Sequence, residues 1–459
     1  MSRTDFSMKL CRKNNSLNLR QCRNRYSIFW EVPLSLLIVT LFFLWYLISR
    51  FVEKAFPEAV IQDYWLLRLC VSSIGYGCIL IPGFVAYKYV NATGYLDRTD
   101  LGCFGRIVKL CLGEPDPDLM KTAESSTSSL VQTRSSSKKA FQLLYCFVGL
   151  QVSYLVWGVL QEKIMTQEYR NSSDETANFR DSEFLVFVNR VLAFAFSGIH
   201  LIFTRHPRHN CPLYKYIYCS LTNILSSWCQ YEALKFVTFP TQVLVKASKI
   251  IPVMIMGKVV SKKKFEYYEY VTAVMMSIGM VMFLLNNNGS DKGVKETTIS
   301  GVVLLAMYMS MDSFTSNWQS ELFSAYSMSS VQMMCGVNLF SCLLTGVSLF
   351  SQGILFRSFE FMTKFPSFGM DCFLLSLCSA TGQLFIFHTI STFGPVVFVI
   401  ITTLRQVLAI LLSCFIYQHH LSTFAVFGVA VVFIAIFLRI YCNQRLRNIR
   451  KQQLRSTQG

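Results

Sequence analysis

Long apolar runs alternate with short polar segments along most of the chain. A helix that crosses a bilayer needs about 20 mostly apolar residues, and runs near this length predict twelve membrane helices. They cover residues 32–49, 66–90, 141–161, 184–204, 213–236, 240–260, 268–286, 299–317, 331–352, 371–392, 395–417 and 421–442. The pattern therefore predicts an all-α polytopic membrane protein.

The same pattern predicts the organisation of the chain. The longest interruption, residues 91–140, contains a Ser/Thr-rich stretch that is typical of a flexible linker. This linker separates two N-terminal helices within residues 32–90 from a ten-helix core over residues 141–442. Basic tails occupy residues 1–31 and 443–459. Because no small-residue cleavage site follows the first apolar run, we expect that run to be retained as an anchor.

Composition agrees with a membrane protein and changes the interpretation of the charge. Hydrophobic residues make up 53% of the chain and charged residues 15%, against about 25% charged residues in soluble domains. A net charge of +17 would suggest nucleic acid in a soluble protein. Here the basic residues lie mostly in tails and loops, so no nucleic-acid partner is predicted. The positive-inside bias instead places both termini in the cytosol.

Glycosylation sequons add a candidate modification to this topology. Asn171 and Asn288 begin sequons in loops that the predicted topology places in the lumen. Asn171 is the better acceptor, although an unused sequon is an equally good interpretation because such triplets arise by chance.

Cations inside the apolar runs are the most informative residues. A charge at the bilayer centre costs about 2.5–3.5 kcal/mol, yet Lys249 and Arg405 are expected near the middle of their helices. Lys246 lies three residues before Lys249, so both ammonium groups share a helical face and would repel each other unless an anion lies between them. Gln242 adds an amide to this face, and Pro252 can kink the helix. Snorkelling of Lys246 towards the lumen is the alternative.

Two neighbouring helices add weaker candidates. Tyr231 and Lys235 lie one turn apart, where the ring could stack on a purine and the ammonium could pair with a phosphate. An interfacial anchor explains Lys235 equally well. Arg190 is a candidate ligand contact, and its alternative role is structural pairing with Glu232 or Asp312.

Polar residues in the second half of the core complete the candidate site. Gln406, Asn317 and Gln383 can hydrogen-bond a base or a ribose, but polar side chains also hold transmembrane helices together. Asp312 and Glu232 fit either proton coupling or internal charge balance. No metal, cofactor or catalytic motif is recognised, so we expect no enzyme. The 16 cysteines are scattered and predict neither a zinc site nor a disulfide framework.

A weak internal repeat relates the two halves of the predicted core. The stretches 240–249 and 395–405 each begin with proline, end on a cation and fall in the fourth helix of their half. Transporter folds are commonly built from such repeats. We therefore expect two inverted five-helix halves.

Several blocks of the core resemble a known family. They read GLQVSYLVWGVLQEKIMT from Gly149, SWCQYEALKFV from Ser227, FPTQVLVKASKIIPVMIMG from Phe239, DSFTSNWQ from Asp312 and SSVQMM from Ser329. These blocks are similar to the nucleotide-sugar transporter family (solute carrier family 35, subfamily B), in the branch that carries 3′-phosphoadenosine 5′-phosphosulfate (PAPS). The resemblance covers roughly residues 60–445.

The resemblance implies a fold, a location and an activity. It implies the ten-helix drug/metabolite-transporter fold, the Golgi membrane, and exchange of cytosolic PAPS against adenosine 3′,5′-bisphosphate to supply sulfotransferases. In that hypothesis Lys246, Lys249 and Arg405 engage the anionic groups, and an empty carrier with unpaired cations reorients slowly. A UDP-sugar antiporter and a non-transporting membrane scaffold are the alternatives. A homo-oligomer is compatible with the sequence.

Overall fold

The structure is a computed structural model that describes most of the chain. The described residues are 36, 39–48, 51, 65–93, 103–113, 136–166, 168–170, 176–177, 179, 182–204, 211–233, 236–237, 245–246, 248–287, 299–351, 353–416 and 423–458.

Fourteen helices and one two-stranded sheet lie within these described ranges. The helices are α1 Val39–Ile48, α2 Trp65–Thr93, α3 Cys103–Leu112, α4 Ser136–Thr166, α5 Ser182–Phe203, α6 Tyr214–Ala233, α7 Ile250–Val260, α8 Tyr267–Asn287, α9 Ile299–Tyr326, α10 Ser330–Ser351, α11 Ile354–Lys364, α12 Pro366–Phe393, α13 Pro395–Ile416 and α14 Thr423–Gln458. Strands β1 Tyr169–Arg170 and β2 Thr176–Ala177 pair antiparallel between α4 and α5.

Every predicted apolar run overlaps one of these helices, which confirms an all-α membrane protein. By length and composition, six helices in the described part of the chain are able to cross a membrane: α4, α5, α9, α10, α12 and α14. The count of twelve spans stays a prediction.

The outward face of α4 is suited to a lipid environment. Large apolar side chains recur along it at helical spacing and are exposed: Phe141, Leu144, Val148, Val152, Leu155 and Val159. A continuous apolar stripe of this kind would promote aggregation in water but suits a hydrocarbon environment. The stripe therefore supports placing α4 in a bilayer.

Two described helices were absent from the prediction. Helices α3 and α11 are short, with polar and apolar residues mixed along their length, so a window of about 20 residues averages their character away. Helix α3 lies inside the segment predicted as a linker. Helix α14 continues beyond its apolar run to Gln458, so much of the predicted basic tail is helical.

Glycine and proline set the boundary between α12 and α13. Pro366 occupies the first turn of α12, where its missing N–H leaves no hydrogen bond unmade. At the other end, Gly394 adopts φ +86°, a backbone conformation that L side chains rarely enter. Pro395 then begins α13. The two helices are therefore joined by a single sharp turn.

The chain divides into two compact units. The first comprises Met1–Asp116, Cys211–Tyr214 and Leu343–Phe359. In this unit the Trp45 indole Nε1 donates to the carbonyl of Ile74 at 2.6 Å, which ties α1 to α2. The rings of Tyr87 and Tyr214 lie 5.4 Å apart.

The second unit comprises Pro117–Asn210, Lys215–Cys342 and Glu360–Gly459. Its helices pack in recognisable groups: α12 packs against α4 and α5, α7 packs against α9, and α8 packs against α14. In the α8–α14 contact, Arg439 Nη2 donates to Glu269 Oε1 at 3.0 Å.

A polar cluster joins α4, β1 and α12 within this unit. Lys163 Nζ and the Tyr169 hydroxyl both donate to Asp371, each at 2.9 Å. Burial and the neighbouring carboxylate raise the pKa of Tyr169, so its phenol remains a proton donor at neutral pH. The rings of Phe179 and Phe368 pack around this cluster. The cluster therefore ties the β-hairpin to the beginning of α12.

Candidate functional site: a cationic cavity

A cavity of about 380 Å³ lies among the helices of the second unit. Its volume falls within the usual range of small-molecule sites, about 300–1,000 Å³. Helices α4, α5 and α12 line one side, α6 and α9 line another, and α13 and the beginning of α7 complete the wall. The lining residues are Tyr154, Trp157, Val186, Asn189, Arg190, Asn223, Ser226, Ser227, Gln230, Lys249, Tyr308, Asp312, Thr315, Ser316, Gln319, Ser379, Gln383, Ile386, Phe387, Ile390, Phe398, Thr402 and Arg405.

Lys249 enters the cavity from the N-cap of α7. The expected continuous helix over residues 240–260 is interrupted here, because Ser248 and Lys249 form a turn and α7 begins at Ile250. Pro252 lies in the first turn of α7 and has no N–H with which to extend the helical ladder backwards. Lys249 is therefore at a helix end rather than at the middle of a helix, which corrects the sequence prediction.

The two lysines, which the spacing predicted to share a helical face, both contact helix α9. Lys249 Nζ forms an ion pair with Asp312, and the two side chains are 13% and 26% exposed. Lys246 Nζ lies 5.9 Å from the centroid of the Tyr308 ring. Tyr308 and Asp312 are one helical turn apart on α9, so the shared lysine face meets a shared face of the neighbouring helix.

Arg405 lies halfway along α13 and faces α4. Its guanidinium carbon is 5.6 Å from the centroid of the Tyr154 ring, a geometry that stabilises a partly desolvated cation. Within the described part of the chain, Arg405 Nε is buried and has no hydrogen-bond partner. Phe398, two turns earlier on α13, lies 5.9 Å from Lys249 Nζ. Helix α13 thus connects the arginine and the lysine sides of the cavity.

Helix α5 contributes the third lining cation. Arg190 lines the cavity beside Asn189. The Ser376 hydroxyl donates to Asn189 Oδ1 at 2.8 Å, which fixes α5 against α12. Tyr154 lies within electrostatic reach of both Arg190 and Arg405. The structure therefore brings together Lys246, Lys249, Arg190 and Arg405 from three separate parts of the sequence.

The predicted amide contacts separate into two roles. Gln383 lines the cavity and accepts from Asn338 Nδ2 at 2.9 Å. Asn317 is buried outside the lining and donates to the carbonyl of Val253 at 2.9 Å, which joins α9 to α7. Asn317 therefore holds helices together. Gln383 lines the cavity and also joins α12 to α10, and its Nε2 donates to the Ser379 hydroxyl at 3.4 Å.

Trp157 is a lining residue that the sequence reasoning did not single out. Its ring lies 6.1 Å from that of Tyr154, one turn earlier on α4. The indole Nε1 is buried, and no hydrogen-bond partner for it lies among the described residues. A buried donor without a partner costs about 1–3 kcal/mol, so this N–H is suited to a ligand. Only the tertiary contacts identify it, since the tryptophan reads as an ordinary apolar residue in sequence.

Other predicted candidates lie partly or wholly outside the described residues. Lys235, Gln242, Asn171 and Asn288 are outside them. Tyr231 and Gln406 belong to α6 and α13, but their side chains are not described. Their roles stay predictions.

The charge of the cavity points to an anionic ligand. Among its described lining residues, three cations face one carboxylate, and Lys246 adds a further cation beside them. Cations in such a desolvated space are costly unless anions neutralise them. A multi-pass membrane protein with a cationic cavity among its helices belongs to the class of carriers for anionic solutes.

Comparison with known proteins assigns the family. Residues 142–443 match the UAA transporter family, and the chain belongs to this family. It is 54% identical over 404 residues to adenosine 3′-phospho 5′-phosphosulfate transporter 1 of Drosophila melanogaster, covering 86% of this chain and 87% of the relative.

Two further relatives show the range of cargo names in this family. The human protein named adenosine 3′-phospho 5′-phosphosulfate transporter 1 is 48% identical over 395 residues, covering 85% of this chain and 91% of the relative. UDP-galactose/UDP-glucose transporter 5 of Arabidopsis thaliana is 34% identical over 323 residues, covering 69% and 92%. Membership of a transporter family agrees with the prediction that the chain is not an enzyme.

Proposed function

We propose that this protein transports PAPS from the cytosol into the Golgi lumen, in exchange for adenosine 3′,5′-bisphosphate, to supply sulfotransferases. The observation that carries the proposal is the cavity in which Lys249, from the turn before α7, converges with arginines from α5 and α13, with Lys246 beside them. The cargo comes from the names of the relatives with about half of their residues identical.

The cations lie in two groups on different sides of the cavity, an arrangement that suits a ligand with two anionic ends. Lys246 and Lys249 lie in the hydrogen-bonded turns that precede α7. Arg405 and Arg190 approach from α13 and α5. In the proposed complex, one side binds the phosphosulfate and the other binds the 3′-phosphate. Tyr154 and Trp157 lie beside the arginines, where an aromatic ring or a ligand oxygen fits.

The packing of the second unit supports transport by alternating access. Helices α4, α5 and α12 form one packed group, and α7 packs with α9. The cavity lies between these groups, and α13 contacts both. We propose that the groups rock around the cavity, within a ten-helix core of two inverted five-helix halves. Both termini then face the cytosol, as the distribution of basic residues predicts.

A UDP-sugar antiporter is the second candidate, because a relative with that cargo name shares about a third of the aligned residues. Its ligand has a diphosphate and no 3′-phosphate. A cavity with cations on two sides favours the ligand with two anionic ends. A non-transporting scaffold has no need for a desolvated cationic cavity.

Uptake into proteoliposomes tests the proposal. We expect purified protein to accumulate labelled PAPS in liposomes preloaded with adenosine 3′,5′-bisphosphate, and to accumulate UDP-glucose or UDP-galactose poorly. UDP-sugar uptake without PAPS uptake would establish the second candidate instead. Absence of both activities in correctly folded protein would support the scaffold.

A further inference from the structure

Asp312 occupies an unusual place for a carboxylate. It lines the cavity that we propose for a polyanion, and it is the only carboxylate among the described lining residues. It forms an ion pair with Lys249 and also attracts Lys246. A negative charge here repels the anionic cargo and competes with it for the same ammonium group.

Packing alone does not explain this ion pair. Helix α7 is already joined to α9 by the hydrogen bond from Asn317 to the Val253 carbonyl, and Val253 and Met254 are buried. Taking two charges out of water often costs as much as their attraction returns, so a partly buried ion pair is weak evidence of a stabilising role. The pair must therefore be considered for what it does in the cavity.

The position of Lys249 makes an anionic partner necessary at all times. The Lys249 side chain is only 13% exposed, so water screens its charge poorly. Lys246 lies close enough to Lys249 and to Arg405 to be repelled electrostatically by both. Without any anion nearby, this group of charges is strongly destabilised. During transport, a substrate anion is present for only part of the cycle.

We propose that Asp312 is an internal counter-ion, which occupies the place of a substrate anion at Lys249 whenever the carrier is empty. Cargo displaces the carboxylate from Lys249 on binding, and the carboxylate returns when cargo leaves. This inference rests on the proposed transport of an anionic solute but not on the identity of that solute.

Two consequences follow for the transport cycle. Competition from Asp312 weakens cargo binding and so speeds release. Pairing in the empty state also lowers the cost of reorienting without cargo. The sequence hypothesis expected slow return of an empty carrier because its cations would be unpaired, whereas the structure shows one of them paired. Asp312 thus sets the ratio of net uptake to exchange.

Asp312→Asn tests the proposal, because it removes the charge and keeps the size of the side chain. We expect the Kd for PAPS, measured on purified protein, to fall about tenfold. Net uptake into liposomes without internal substrate should fall at least about fivefold, while exchange against adenosine 3′,5′-bisphosphate changes less than about twofold. Thermal unfolding in detergent verifies that the variant is folded.

Matched variants separate this role from a structural one. Glu321→Gln removes a carboxylate from the same helix outside the cavity lining and should leave the ratio of net uptake to exchange unchanged. Asp312→Glu should restore the ratio. The double variant Lys249→Gln with Asp312→Asn removes both members of the ion pair, so it should bind PAPS weakly and return the ratio towards that of the wild type.

Each outcome decides the matter. Equal losses of exchange and net uptake with an unchanged or higher Kd would overturn the proposal. If Asp312→Asn does not fold, the double variant takes its place, and an unchanged ratio of net uptake to exchange in that variant relative to Lys249→Gln alone overturns the proposal. If the wild type binds UDP-glucose rather than PAPS, and Asp312→Asn tightens that binding, the cargo is wrong and the counter-ion role stands.

Discussion

At the residue scale, the cations of the cavity differ in the partners that they already have. Lys249 is paired with a carboxylate, whereas Arg405 lies against the Tyr154 ring and keeps a buried guanidinium N–H without a protein partner among the described residues. An aromatic face stabilises the charge but accepts no conventional hydrogen bond. Arg405 therefore retains its Nε–H for a ligand, and its planar fork suits a phosphate in a way that an ammonium does not.

Replacing Arg405 should damage transport even when the charge is kept. We expect Arg405→Lys to lower kcat/KM for PAPS exchange by about tenfold and Arg405→Ala by about a hundredfold, since charge-assisted hydrogen bonds contribute about 1.5–3 kcal/mol. Lys364→Ala is the control, because that exposed lysine pairs only with Glu360 one turn earlier among the described residues. Near wild-type exchange by Arg405→Ala in proteoliposomes would remove Arg405 from the site.

Trp157 allows a second test at this scale. Trp157→Phe keeps an aromatic ring and removes the unpartnered indole N–H, so we expect a Kd for PAPS about fivefold higher and an unchanged melting temperature. Trp45→Phe provides the contrast, because its indole already donates to Ile74. That variant should lose stability and keep its affinity. The reverse pattern would show that the Trp157 N–H has no ligand.

At the scale of elements, the helix contacts rest on small residues as much as on charges. Helix α8 approaches α14 so closely that a Cβ added at Gly279 would lie 2.8 Å from the backbone oxygen of Gly428. The backbone of α14 cannot move aside to make room for a methyl group in the way that a flexible side chain can. The Arg439–Glu269 ion pair lies in the same contact. This close approach makes α8 and α14 the most extensively packed pair of helices in the described part of the chain.

A methyl group at Gly279 should force the two helices apart. We expect Gly279→Ala to lower the free energy of unfolding by about 1–3 kcal/mol, as other overpacked contacts do. Gly198→Ala is the matched control, since nothing lies within 4 Å of a Cβ at that helical position. It should be neutral or slightly stabilising. Thermal or denaturant unfolding in detergent measures both, and equal effects would contradict the close contact.

At the scale of the whole molecule, the described cavity lining has more cations than carboxylates, which favours an anionic cargo. A ligand with anions at both ends can neutralise the lysine side and the arginine side together. A nucleotide with anionic groups at one end leaves the other side unpaired in a desolvated space. We therefore expect recognition of PAPS to depend on the number and placement of anionic groups as well as on the base.

Competition against PAPS exchange should follow this charge order. We expect adenosine 3′,5′-bisphosphate to inhibit at a concentration about tenfold lower than adenosine 5′-monophosphate, because one charged contact is worth about 1.4 kcal/mol or more. Uncharged adenosine should not compete at these concentrations. Equal inhibition by all three ligands would mean that the base, and not the charge, is recognised. The same series with UDP distinguishes the second candidate cargo.

Local pattern by itself determined much of this protein. The length of each apolar run identifies where a membrane helix forms, because the bilayer sets the minimum span whatever the neighbours are. The cost of a desolvated charge likewise makes Lys249 and Arg405 conspicuous in sequence. The sequence pattern did not predict the amphipathic helices α3 and α11, because they are short and polar enough to resemble loops.

Tertiary structure alone decided which of these charges meet and which are already paired. The Lys249–Asp312 pair joins α7 to α9, and the Tyr154–Arg405 contact joins α4 to α13, across separations at which sequence spacing carries no information. The turn before α7 also moved Lys249 from a helix interior to an N-cap. The physical reason is the same in each case: run length and charge are properties of a local segment, whereas a cavity exists only where several segments pack.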